Sequence, residues 1–338
     1  MLCYVKDLSA NLSMTKTDNI QTIKIYQYMT AERVLFPHLI AIDILKNYKQ
    51  DTLMLCLGSE GWDISYNGTE RIVKEICDRA KIPYDKIIFR TANLNQTLTY
   101  FKSKPYPFNL DFAMLEYHKE AEPCFNKKYG IFLGRPDNLR LYAFYKHLTW
   151  SCSSQGIATF HYDPKNINEY ESDFTNFLID HNTKWHYIKD QLPYSDLNNY
   201  IKIPIVNESH KEINFWKDLY SKISIEIICE TNVHNESFFI TEKTLRPILY
   251  KKLFVIIGSK NYEQQLKEMG FDIFDDIIDK TYDKKQYSDR IEHLYSSLEH
   301  ILRVLSESNE LKVRLENNQK LAATLISEHK NKRKEWLS

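Results

Sequence analysis

The stretch NESFFITEKTLRPILYKKLFVIIG (residues 235–258) joins two patterns in one short span. Glu242 and Lys243 stand side by side at the predicted head of a helix, with Thr241 as its N-cap and Pro247 in its second turn. The nearly wholly apolar run LFVIIG follows within a few residues and has the length of a buried strand. Another apolar run, ISIEIICE (223–230), precedes it, so the whole piece reads strand, loop, helix, strand. A helix start offers unpaired N–H groups and a partial positive charge, which suits a phosphate. Lys243 adds a mobile cation for a diphosphate, and Glu242 can accept two hydrogen bonds from the vicinal hydroxyls of a ribose. A nucleotide-activated sugar carries both features. The plain alternative is a solubilising pair, because a glutamate in a first turn is favourable without any ligand.

The same alternation extends outward. TLMLC ends in a glycine-containing loop, TERIVKEICDRAK (69–81) is an amphipathic helix with Ile72, Ile76 and Ala80 on one face, and KIIFRT (86–91) is a short strand. Residues 20–50 carry apolar positions at helical spacing, broken at Pro37, and DFAMLEYH (111–118) is a further strand candidate. The polar stretch KEAEPCFNKK (119–128) reads as a linker. Beyond it, YGIFLG is a strand, RPDN a turn and LRLYAFYKHL a helix. From about residue 284 to 335 a long helical tail carries Ile291, Leu294, Leu298, Ile301, Leu302 and Leu305. Strand–helix alternation of this kind predicts α/β units with parallel sheets, whose ligands bind outside the carboxyl ends of the strands. The expected organisation is an N-terminal α/β domain over 1–122, a second over 128–290 and a helical tail over 291–338.

Composition narrows the function. The 338 residues are 43% apolar and hold 45 acidic and 45 basic side chains, enough for two cores with no net charge to coat nucleic acid. The start shows no basic segment followed by an apolar run, and no window approaches a membrane span, so the expectation is a cytoplasmic protein with reduced cysteines. The six cysteines are scattered without a CxxC, and His147, His161, His181 and His186 lack metal-ligand spacing. The basic end HKNKRKEWLS (329–338) reads as a solvated helix end, with a weak membrane-surface contact as its alternative.

The segment NESFFITEKTLRPILYKKLFVIIGS resembles the donor-binding segment of α-1,3-fucosyltransferase-like glycosyltransferases, which carry y(I/V)TEK, a helix and an apolar strand. MGFDIFDDIIDKTYD (269–283) is similar to a stretch that follows the same strand in bacterial and viral glycosyltransferase-like proteins. IFLGRPDNLRLYAFYKHL resembles the strand–turn–helix in which an arginine opens the helix. The likeness touches roughly residues 128–150 and 225–290. It implies a GT-B fold, two Rossmann-like α/β domains facing a central cleft, with the donor on the C-terminal one. Position by position, it implies that Lys243 and Arg140, with Arg135 as the alternative, face the diphosphate. It places Glu242 at the ribose and Asn235 and Glu236 along the sugar or diphosphate. Thr241 opens the helix, and Phe239 stands where the family usually has tyrosine.

Inverting transfer needs a carboxylate base and cations for the departing diphosphate. Glu60, after TLMLCLGS, is the first choice of base and Glu116 the second. Arg140 and Lys243 can meet the leaving group, so no metal or other cofactor is expected beyond a GDP- or UDP-linked sugar as co-substrate. The acceptor is a glycan or other hydroxyl compound. A retaining enzyme of this type often sets two acids eight residues apart, but the eighth residue after Glu236 is Thr244. The competing functions are a non-catalytic nucleotide-sugar-binding protein and sugar transfer to a hydroxymethylated nucleic-acid base. Asp279, Tyr282 and Asp283 are assigned to capping and ordering the following helix.

Overall fold

The structure, a computed structural model, describes residues 20–24, 37–48, 52–56, 68–91, 93–105, 121–133, 138–160, 216–230, 238–285 and 287–337. The chain divides into two compact units, one of Met1–Asn109 with Glu328–Ser338, the other of Leu110–Ser327. Each holds a four-stranded, wholly parallel sheet with helices, an α/β architecture.

In the first unit the strands β1 (Ile20–Lys24), β2 (Thr52–Cys56), β3 (Ile87–Thr91) and β4 (Lys102–Pro105) lie in sequence order. Helices α1 (Pro37–Asn47) and α2 (Thr69–Ala80) connect the first three. Leu53 and Leu55 of β2 and Ile87 and Phe89 of β3 share one face and pack with Ile40, Ile44, Val73 and Cys77 of the helices. Two expectations change here. Residues 20–24, expected within a helically spaced stretch, form strand β1, and Pro37 is the first residue of α1, as suits a residue with no N–H to lose at a first turn. On α2 the buried line runs through Thr69, Val73 and Cys77, while Ile72, Ile76 and Ala80 flank it half-buried. β4 has the sequence KSKP and carries no apolar alternation to announce it.

The second unit is ordered β6-β5-β7-β8, from strands β5 (Tyr129–Leu133), β6 (Gly156–Phe160), β7 (Ile225–Cys229) and β8 (Leu253–Ile257). β5, β7 and β8 are buried at every position, as a sheet covered on both faces requires. Helix α3 (Asn138–Thr149) follows β5, and α4 (Glu242–Leu249) follows β7. Strand parity places these two helices on opposite faces. Tyr129 points toward α3, its hydroxyl 2.7 Å from His147 Nδ1. Phe132, of opposite parity, meets Trp216 and Tyr220, and Tyr220 stacks on Tyr250 at the end of α4 with ring centroids 4.4 Å apart.

β6, sequence GIATF, escaped notice because Gly, Ala and Thr break up its two strongly apolar residues, Ile157 and Phe160. Its first residue shows why a glycine stands there. A Cβ on Gly156 would meet the Tyr129 ring and lie 2.7 Å from His147 Cε1. Both rings are buried and hydrogen-bonded, so neither can swing aside cheaply. Gly156→Ala is expected to destabilise the fold by about 1–3 kcal/mol in denaturant titration. A loss within experimental error would contradict the close approach.

The free edge of β8 is closed by side chains. Residues 253 and 257 bond inward to the β7 segment, so Phe254 and Ile256 turn their polar groups outward. Lys280 Nζ donates to the Phe254 carbonyl at 2.8 Å, and Ile256 N–H donates to Glu263 Oε1 at 3.1 Å. Lys280 and Glu263 pair at 2.9 Å, and the Tyr282 hydroxyl donates to Glu263 Oε2 at 2.6 Å. A buried ion pair thus stands where a further strand would bind. Asp283 Oδ2 accepts from the Glu263 and Gln264 amides at 3.1 and 3.2 Å. It therefore caps the preceding helix α5 (Tyr262–Glu268), not the following one as expected.

The single predicted tail helix is two, α6 (Tyr287–Val304) and α7 (Asn309–Leu337). Ser308 Oγ accepts from the Leu311 amide at 3.1 Å and starts the second helix afresh. The six expected apolar positions are all buried. Asp279 orders α6 through His293 Nε2 at 2.9 Å. α7 grips the loop of residues 270–278. Arg314 reaches Asp272 and Asp276 through both carboxylates, and Asn318 holds the Asp272 backbone from both sides at 2.8 and 2.7 Å.

Candidate functional site

The order β6-β5-β7-β8 reverses direction between β5 and β7. The chain leaves β5 toward one edge and β7 toward the other, so their connecting helices cover opposite faces; in α/β sheets such a switch point is where ligand crevices form, at the carboxyl ends of the strands. The described strands of the first unit show no such reversal. The switch point lies where α3 and α4 begin. Arg140 is the third residue of α3 and is buried. Glu242 and Lys243 are the first two residues of α4.

The sequence explains how α4 starts and stops. Thr241 is extended, with φ −107° and ψ 174°, and its Oγ1 accepts from the Lys243 amide at 3.1 Å. Thr244, Leu245, Pro247, Ile248 and Leu249 form its buried side. The helix ends where Lys251 N–H bonds to the Ile248 carbonyl at 3.1 Å and Lys252 N–H to that of Pro247 at 2.9 Å, with Lys251 at φ 55°. The first-turn amides are largely engaged within the chain. Lys243 N–H meets the cap, Leu245 N–H meets the Thr241 carbonyl at 3.2 Å, and the Glu242 carboxylate takes a backbone bond from its own residue. What the helix head presents is therefore its side chains.

Those side chains are charged and partly open. Lys243 Nζ lies 3.4 Å from Glu242 Oε1, with the lysine side chain 21% and the glutamate 31% exposed. Burial pushes the Glu242 carboxyl up, but Lys243 and Arg246 outweigh it and hold the group below its usual range, so Glu242 is ionised. Arg246 lies over the Trp216 ring at 3.9 Å. Phe239 is 1% exposed, a core side chain whose carbonyl accepts from the Tyr262 hydroxyl at 2.7 Å.

Beneath the helix head sits Glu230, the residue after β7, 1% exposed. Its carboxylate accepts from Thr241 Oγ1 at 2.7 and 2.9 Å, from Thr244 Oγ1 at 2.6 Å and, more weakly, from Tyr262 at 3.4 Å. Burial, reinforced by Glu230, keeps the Tyr262 phenol well above its ordinary range, so it stays a donor. Sequence reasoning passed over Glu230, Thr244 and Tyr262. The available signal was the acid that closes ISIEIICE, with Thr241 and Thr244 three residues apart at the next helix start.

Glu60, Glu116, Arg135, Asn235 and Glu236 lie outside the described residues. Among the described residues no group of three His, Cys, Asp or Glu side chains is gathered to hold a metal ion, and no helix is long and apolar enough to cross a membrane.

No protein-family model and no curated protein matches the chain. Among solved structures it is similar to an α,α-trehalose 6-phosphate synthase from Burkholderia multivorans, at 10% identity and a TM-score of 0.38 over 87% of this chain and 70% of that one. A second likeness is to a GtfA/B complex, at 10% identity and 0.43 over 96% of this chain and 64% of that one. A third is to a glycosyltransferase from Rickettsia africae ESF-5, at 14% identity and 0.35 over 87% of this chain and 80% of that one.

Proposed function

We propose that this chain is a glycosyltransferase of the GT-B type that moves a sugar from a nucleoside-diphosphate donor to a hydroxyl acceptor. The observation that carries this reading is the strand-order reversal between β5 and β7 with Glu242 and Lys243 at the head of α4 beside it. The crevice at such a reversal is where α/β sheets take nucleotides. An ionised Glu242 suits a ribose diol, and Lys243 suits a diphosphate. The resemblance of the TEK segment to fucosyltransferase-like enzymes points the same way.

In the reaction the acceptor oxygen forms a bond to the anomeric carbon as the bond from that carbon to the diphosphate oxygen breaks. The acceptor proton passes to a carboxylate, for which Glu60 and then Glu116 are the candidates. The electron pair leaves on the diphosphate, whose growing charge Lys243 and Arg140 meet without a metal. Inversion follows from the single displacement.

The test is slow hydrolysis of GDP-, UDP-, ADP- and TDP-sugars by the purified protein, with product anomer read by NMR. One donor should turn over, and Lys243→Ala should lower that rate by about 100-fold or more while the melting curve stays cooperative. Undiminished turnover in the variant would remove Lys243 from the mechanism. Binding without turnover would leave a nucleotide-sugar-binding protein.

A further inference from the structure

We propose that Glu230 is a positioning residue of the donor site, a role that rests on the function proposed above. Glu242 and Lys243 are flanked by Thr241 and Thr244, and both threonine hydroxyls donate to the Glu230 carboxylate, at 2.7 and 2.6 Å. Because the Thr241 proton is committed to Glu230, its lone pair is turned toward the Lys243 amide, 3.1 Å away. Tyr262 ties the same carboxylate to the Phe239 carbonyl, on the chain leading into the helix. Glu230 is itself fixed to the sheet, since its amide donates to the Ile257 carbonyl at 2.9 Å. One buried acid thus couples the carboxyl ends of β7 and β8 to the residues on both sides of the ligand-facing pair. A carboxylate can accept from both hydroxyls at once. Both hydroxyls meet the same oxygen, Oε1, and Thr241 also reaches Oε2 at 2.9 Å, so an isosteric amide gives up the negative charge and sets its NH2 group against the Thr241 hydroxyl.

The experiment is titration calorimetry of Glu230→Gln with GDP and UDP, and with the matching monophosphates GMP and UMP. Lys243 is the cation assigned to the diphosphate, so a displaced first turn should act on the second phosphate. Whichever diphosphate the unaltered protein binds should bind about tenfold more weakly to the variant, with the monophosphate changed less than about twofold. Thr241→Ser keeps donor and cap and should preserve affinity, whereas Thr241→Val should reproduce the selective loss. Combining Glu230→Gln with Thr241→Val should weaken binding no further than Thr241→Val alone, as expected of groups acting as one unit. If Glu230→Gln does not fold, Thr244→Val leaves the cap intact and should show the same selective loss, about threefold. Equal weakening of mono- and diphosphates would mark a general disturbance and overturn the positioning role, as would unchanged affinity. An unaltered protein that binds neither GDP nor UDP would remove the donor site itself, a failure readable before any variant is made.

Discussion

Lys280→Met is expected to lower the folding free energy by about 3–5 kcal/mol, the cost of leaving a buried charge without its partner. The Lys280 side chain is 8% exposed and that of Glu263 fully buried. Burial already pushes the Glu263 carboxyl up to about 7 despite the ammonium beside it. Without Lys280 the acid must take up a proton or sit ionised among apolar groups, and the Phe254 carbonyl loses its donor. Methionine fills the same space over the Phe254 ring, so the loss reports charge and hydrogen bonding rather than a cavity. Glu263→Gln should cost less, since an amide oxygen still accepts from Ile256 N–H and Lys280. Chemical denaturation of both variants checks the order. A lysine variant within about 1 kcal/mol of the unaltered protein would mean that the edge of β8 is held by other means.

The second large effect is on pH dependence. Glu226 lies on β7 opposite Gly130, its carboxylate accepting from the Tyr220 hydroxyl. Burial pushes its pKa to about 8 against an ordinary 4.5, with the Tyr220 bond and Arg246 only partly offsetting it. Between these values the unfolded chain gives up a proton that the folded one keeps, so Glu226 makes stability fall as pH rises from 4.5 to 8. Glu226→Gln keeps an acceptor for Tyr220 and has nothing to ionise. Its stability relative to the unaltered protein should be near zero at pH 5 and rise to a few kcal/mol, in order of magnitude, above pH 8. Taking the difference between variant and unaltered protein at each pH isolates Glu226. Otherwise His147, lowered by burial to about 4, and Lys252, lowered by burial to about 8, would contribute slopes of the opposite sign. A difference flat across pH 5–9 would mean the carboxyl is not perturbed.

The sequence made some of this legible and hid the rest for identifiable reasons. Apolar runs of strand length gave β5, β7 and β8, because strands covered on both faces need continuous hydrophobicity. The start of α4 was readable because an N-cap is a local device, a threonine two residues before the amide it meets. β4 and β6 were not readable, since KSKP and GIATF owe their place to neighbours in the sheet. The same holds for Glu230, which contacts residues 11, 14 and 32 positions away. Side-chain closure of the β8 edge left no mark either, because Lys280 and Glu263 look like surface residues until the fold buries them. IDKTYD was readable as a scaffold segment, but which helix Asp283 caps was not, since its partners Glu263 and Gln264 precede it by about twenty residues.

The clasp of Arg314 and Asn318 on Asp272 spans 42 and 46 residues of chain. During synthesis the loop of residues 270–278 must wait, already outside the ribosome, for α7 to emerge before it can settle. The second unit therefore completes its packing only after α7 has been made, and a stop codon just upstream of Arg314 would release a chain with all the described strands made and that loop unlatched.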